Sequence, residues 1–183
     1  QAMALLQKAI ALDESSADAR SRLGSLYTMV GQHDKAIAEG ERAVTLDPNY
    51  ADAYNRLGLF LRFADRPEES IPVIKKAMRL NPFPPGLYYS NLGMAYLFTG
   101  KCEEAIAECE KALQLETDNL HTHIATTVAY SLCGREEEAR ATAAGVLRIN
   151  PKFSCDAFAK RVTYKNQADK ERFIDALRKA GLK

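Results

Sequence analysis

Leu23-Gly24-Ser25-Leu26-Tyr27-Thr28-Met29-Val30-Gly31 decides the reading of this chain. Leu23, Leu26, Tyr27 and Val30 fall at i, i+3, i+4 and i+7, which is one apolar stripe of a helix. Gly31 ends it, because glycine tolerates the left-handed conformation that closes a helix. The leucine–glycine pair returns at Leu57-Gly58 and Leu92-Gly93, 34 and 35 residues further on each time. Other columns keep the same register: Ala36, Ser70, Ala105 and Ala139; Pro48, Pro82, Thr117 and Pro151; Tyr27, Leu61, Tyr96 and Tyr130. The shared extra residue falls near Phe83-Pro84-Pro85-Gly86, a rigid, helix-hostile linker that can absorb it. A period of this size predicts an all-α stack of small units, none of which is a domain alone.

Within the first full unit the pattern predicts helix A over about 17–30 and helix B over about 34–46. Ala36, Gly40 and Ala43 give helix B a lane of small residues that lets another helix approach closely. Gly31, Asp65, Gly100 and Gly134 occupy the A–B turns, and Asp47-Pro48, Asn81-Pro82 and Asn150-Pro151 stop the B helices. Pro67 suits the first turn of its helix. Pro72 lies deeper in the same helix and predicts a local kink.

Leu23-Gly24, Tyr27, Gly31, Ala36, Ala43 and Pro48, with Leu92-Gly93, Tyr96, Gly100, Ala105 and Ala112, resemble the tetratricopeptide repeat, a 34-residue helix-turn-helix. The second unit departs at Leu61, Asp65 and Ser70, and the fourth at Thr126-Thr127, where Leu-Gly is expected. The resemblance implies a right-handed superhelical solenoid read as one domain. Its parts are a half repeat, helix B only, over 1–14; repeats over 17–50, 51–84, 86–119 and 120–153; and a C-terminal capping helix pair over 154–183. The opening half repeat suggests a piece of a longer protein. Its apolar face on Leu5, Leu6 and Ile10 is the expected self-association surface of a possible homo-oligomer, since repeat stacks need covered ends.

The tail leaves the repeat pattern, with Phe173 where a small residue belongs and Lys160-Arg161 where Leu-Gly belongs. Phe158, Val162, Phe173, Ile174 and Leu177 keep an apolar face, as a cap requires. The run Phe153-Ser154…Phe158…Arg161…Tyr164-Lys165…Glu171-Arg172…Leu177-Arg178-Lys179-Ala180-Gly181-Leu182 resembles the end of bacterial proteins with an upstream class III nucleotide cyclase or winged-helix domain. That implies a regulatory or assembly module whose output domain lies elsewhere.

Composition argues for an interaction module rather than an enzyme. Twenty-five basic and 24 acidic residues leave a net charge of +1, so no electrostatic case exists for nucleic acid. No apolar run reaches membrane-span length, so membrane insertion is not expected. These features predict a cytoplasmic protein. Cys102, Cys109, Cys133 and Cys155 lack zinc spacing and are expected as reduced, packed thiols. His121 and His123 are two apart on a helix and face different ways, one toward the inner surface and one toward the core, so they cannot share a metal ion. Acidic clusters such as Glu136-Glu137-Glu138 suit helix N-termini. Neither a catalytic set, a cofactor motif nor a metal site is expected.

What remains is a groove. In tetratricopeptide arrays it is lined by the A helices. Here that implies Arg22, Asn55, Arg56, Leu59, Arg62, Asn91, Met94, Phe98, His121, Ile124 and Val128, polar with arginines at one end and apolar at the other. Such a lining suits a protein ligand, either an extended peptide or a partner helix, with an acidic and an apolar end. The alternative is that the C-terminal helices pack on the apolar half. Asn55, Arg56 and Asn91 suggest the chaperone-tail clamp of some relatives, but His121 and Ala125 leave it incomplete.

Overall fold

Close helix approach is what the leucine–glycine columns supply. A methyl group on Gly24 would lie 2.5 Å from Phe60 Cε2 and 3.0 Å from the Ala36 carbonyl. On Gly58 it would lie 2.3 Å from Ile74 Cγ1, and on Gly93 2.6 Å from Cys109 Sγ. In each case helix B of the same hairpin crosses at the glycine. The computed structural model describes residues 2–183, which form eleven α-helices with no strand among the described residues. They are α1 (Ala2–Leu12), α2 (Ala17–Met29), α3 (His33–Leu46), α4 (Ala51–Phe63), α5 (Pro67–Leu80), α6 (Gly86–Phe98), α7 (Cys102–Leu115), α8 (Leu120–Leu132), α9 (Glu136–Ile149), α10 (Cys155–Ala159) and α11 (Gln167–Lys179). Helices α2 to α9 pair as four A–B hairpins in the predicted register. The turn positions Gly31, Asp65, Gly100 and Gly134 all have positive φ, between 66° and 80°. Asp65 is the one that pays a Cβ penalty there, which aspartate tolerates better than most residues. Helix α5 runs unbroken through Pro72, so the expected kink does not interrupt it.

The chain gathers into two compact units divided after Phe83, at the proline-rich linker. The first unit takes in the chain up to Phe83 together with Thr163–Lys165; the second comprises Pro84–Val162 and Asn166–Lys183. In the first unit α1 packs on α2, α2 on α3 and α4, and α4 on α3 and α5. Its core gathers Ala36, Ile37, Leu57, Phe60, Leu61 and Ala64.

In the second unit α6 packs on α7 and α8, and α8 on α7, α9 and α11. The tail is a helix pair of unequal length: α10 has five residues, capped by the Ser154 side chain, and α11 has thirteen. Phe158 joins them, its ring 5.6 Å from Phe153 and 6.0 Å from Phe173. Phe173, Ile174 and Leu177 are buried, as the apolar face of the tail predicts.

The cysteines correct one expectation. Cys102 and Cys133 form a disulfide with a Cα–Cα distance of 5.6 Å. They are 31 residues apart in sequence. The stacking of hairpins brings the first residue of α7 beside the cap of α8, a proximity that sequence spacing does not reveal. Cys109 and Cys155 are free and buried, as expected.

Candidate ligand face on the first unit

Helices α2 and α4 are neighbouring A helices, and their packing builds one continuous face. Ser16 starts α2 by accepting a hydrogen bond from the Ala19 N–H, which places Asp18 in the first turn. There a carboxylate also complements the helix dipole. Three groups converge on it. Arg22 Nε donates to Asp18 Oδ2 at 2.6 Å, and the Tyr50 hydroxyl donates to Oδ1 at 2.8 Å. Arg56 Nη1 lies 3.6 Å from Oδ1 and also donates to Ser21 Oγ at 2.8 Å. Burial acts to raise the Asp18 carboxyl, but the hydrogen bonds from Arg22 and Tyr50 outweigh it and hold the group below its usual range. The Tyr50 phenol is pushed up to about 12 by burial and by its bond to Asp18.

In the second unit the Tyr130 phenol is likewise raised to about 12, by burial and by donation to Glu110 Oε1 at 2.6 Å. Both tyrosines keep their proton longer in the folded chain than in the unfolded one. Their stabilisation is therefore complete below about pH 10, the unfolded value, and is lost as pH rises through about 12. In an ultraviolet phenolate titration, Tyr50 and Tyr130 should ionise late. Tyr50→Phe and Tyr130→Phe should each remove one late step.

At the other end of the face, the last turn of α4 carries Arg62 and Phe63. Arg62 Nη1 donates to the Tyr164 hydroxyl at 2.6 Å, and the guanidinium sits over the Phe63 ring at 4.4 Å. Tyr164 came from a segment assigned only to the cap. The segment lies outside the repeat register, so no periodic signal could have placed it here.

The eleven groove residues expected from the sequence separate by unit and by exposure. Arg22 is exposed, while Arg56 and Leu59 are half-buried on the α2–α4 face. Asn55 and Arg62 lie on the same helix but are buried. In the second unit Asn91, Met94, Ile124 and Val128 are buried, Phe98 is half-buried and His121 is exposed. Helix α11 packs on α8, the helix that carries Ile124 and Val128. One C-terminal helix thus lies on a helix of the apolar half. His123 is the core member of the histidine pair: it is buried, its Nε2 lies 2.9 Å from the Thr117 carbonyl, and its ring fits because Gly145 has no Cβ. On α1, which buries no residue, Leu5 is exposed and Leu6 and Ile10 are half-buried. Among the described residues no cluster of three or more histidine, cysteine or acidic side chains could hold a metal ion. No helix there is long and apolar enough to cross a membrane.

Comparisons with known proteins bear on this architecture. One TPR repeat family model matches residues 24–61, and a tetratricopeptide repeat model matches 51–84 and 87–119. No curated protein matches the sequence significantly. Among solved structures, a thermophilic TPR protein of Thermus thermophilus aligns with a TM-score of 0.74 at 24% identity, over 96% of this chain and 88% of that one. PilW, a type IV pilus biogenesis factor, aligns at 0.73 and 19% identity, over 97% and 79%. YrrB, a TPR protein with an unusual peptide-binding site, aligns at 0.61 and 23% identity, over 96% and 90%. The cyclase and winged-helix association expected from the tail gains no support from these matches. With the repeat hairpins, the glycine crossings and these matches together, the chain is built of tetratricopeptide repeats, an all-α scaffold of the kind that serves protein–protein interaction.

Proposed function

We propose that the chain is a protein-binding module whose ligand face is the α2–α4 surface of the first unit. The observation that carries this reading is the convergence of Arg22 and Arg56 on the single carboxylate of Asp18. Both guanidiniums lie against Asp18, the Asp52 carboxylate acts on Arg22 as well, and the Arg22 side chain is 57% exposed. An incoming carboxylate, from an acidic side chain or a chain terminus, is gripped in a fork by the exposed guanidinium of Arg22. Met29 is 62% exposed on the same helix and offers an adaptable apolar contact. The ligand is thus an extended segment with an acidic residue and an apolar one. The buried positions on α6 and α8 stabilise the second unit in this reading and do not contact the ligand.

The test is affinity capture from native lysate with the wild-type chain and with Arg22→Glu/Arg56→Glu. Arg22 is exposed and Arg56 half-buried against Ser21, so circular dichroism of the double variant, and of Arg22→Glu alone, shows whether the fold persists. A partner bound through this face should lose at least tenfold in affinity, given that hydrogen bonds to charged groups are worth about 1.5–3 kcal/mol each. A partner retained at full strength overturns the reading.

The disulfide bears on where the module works. Disulfides persist in oxidising compartments. The Cys102–Cys133 bridge therefore favours an oxidising setting over the cytoplasmic one expected from composition. The tail's resemblance to cyclase-linked and winged-helix-linked arrays concerns what accompanies the module, and sequencing the adjoining coding region tests it.

A further inference from the structure

Helices α2 and α4 end at Met29 and Phe63, where the carbonyls of the last turn are open to donors from outside the helix. Two residues of the 163–165 segment of the first unit donate to them. The Thr163 hydroxyl donates to the Thr28 carbonyl, and the Lys165 N–H donates to the Phe63 carbonyl at 2.9 Å. Between these, Tyr164 is 4% exposed, with its ring 4.6 Å from Phe63 and its hydroxyl accepting from Arg62. The Arg62 guanidinium lies 5.6 Å from the Tyr164 ring, and Lys165 Nζ lies 3.7 Å from Asp34 Oδ1. The segment is not helical and belongs to no repeat. It is held as a bound peptide is held: one backbone bond to the end of α4 that any sequence could make, one hydroxyl bond to the end of α2 that needs the threonine, one ring against Phe63 and Arg62, and one charge against an acid.

We propose that the Arg62–Phe63 pocket is a recognition site for a tyrosine on an extended segment of a partner protein, with a basic residue following it, and that Tyr164 is its resident in cis. This rests on reading α2–α4 as the ligand face and names a second determinant at its far end. Phe63 and the guanidinium give the aromatic ring two flat contacts, and Arg62 Nη1 reads the hydroxyl. The bond from buried Arg62 to the hydroxyl, which a phenylalanine cannot accept, makes tyrosine the selected residue. A partner has to displace a tethered resident, whose effective concentration is on the order of millimolar. Weak binding by the intact chain, strengthened when the resident is removed, is the signature.

The test uses the full chain and a fluorescent, end-blocked peptide copying residues 160–168, read by anisotropy. The peptide should bind Tyr164→Ala at least tenfold more tightly than wild type. Replacing the peptide's tyrosine by alanine, or adding Arg62→Met to the protein, should abolish that gain. Lys165→Glu loosens the resident without emptying the core, so it keeps the test valid if Tyr164→Ala unfolds, and it should also raise peptide binding. Absence of binding to both folded variants, or equal binding by wild type and variants, overturns the proposal. Arg22→Glu/Arg56→Glu lies at the other end of the face and should leave peptide binding intact. A native partner that this double variant loses, but that the tyrosine peptide does not displace, would sink the pocket while sparing the ligand face.

Discussion

Phe60→Ala should cost the first unit about 3–5 kcal/mol, the upper range for a large-to-small core change. The side chain is fully buried and sits among Ala36, Ile37, Leu57, Leu61 and Ala64. Its ring fills a hollow between two glycines: a Cβ on Gly24 would lie 2.5 Å from it and one on Gly40 3.1 Å from it. The walls on those sides are helix backbone, which cannot move in to close a void, so the site should collapse poorly and the loss should sit at the large end. The reverse clash gives a sharper check. Gly24→Ala should be destabilising alone, and less so in Phe60→Leu, because the smaller side chain makes room for the methyl. Urea unfolding of the four chains measures the coupling. Additive effects would mean that Phe60 and Gly24 do not share the space described here.

The second large effect is on the Cys102–Cys133 bridge. It closes a loop of 31 residues, for which chain entropy predicts about 3.5 kcal/mol of stabilisation. Cys133→Ser, Cys102→Ser and reduction of the wild-type chain should each lower Tm by on the order of 10 °C. The three should not add, since each breaks the same bond. Both sulfurs belong to half-buried residues, so a reductant can reach them. Alkylation of the unfolded, unreduced chain should label two thiols, those of Cys109 and Cys155. Four labelled thiols, or a Tm indifferent to reductant, would contradict the bridge.

These cases mark what the sequence could carry. Gly24, Gly58 and Gly93 announced the hairpins because the need for close approach recurs in every unit and leaves a periodic trace. The turn column did the same, down to Asp65, whose φ of 66° follows its glycine counterparts. Contacts made once leave no period. Cys102 and Cys133 meet only because two hairpins stack. Tyr164 reaches Arg62 across 102 positions of sequence. Met94, Ile124 and Val128 were legible as A-helix positions, yet whether a ligand or the chain's own α11 lies near them depends on the path of a tail outside the register. His123 was legible as one of a divergent pair, and Gly145 as the reason it fits was not.

The central claim is that the α2–α4 surface of the first unit is where a partner protein sits. Site-specific photo-crosslinking tests it most directly. A photoreactive residue is placed at Ser25 or Leu59 on that face, and at the exposed Ala38 and Ala144 on the B helices α3 and α9 as controls. The full chain is then irradiated in its native cells. Adducts of one mass from Ser25 and Leu59, absent from Ala38 and Ala144 and lost with Arg22→Glu/Arg56→Glu, are the predicted result. Adducts only from the B-helix positions, or adducts that survive the charge reversal, would contradict it.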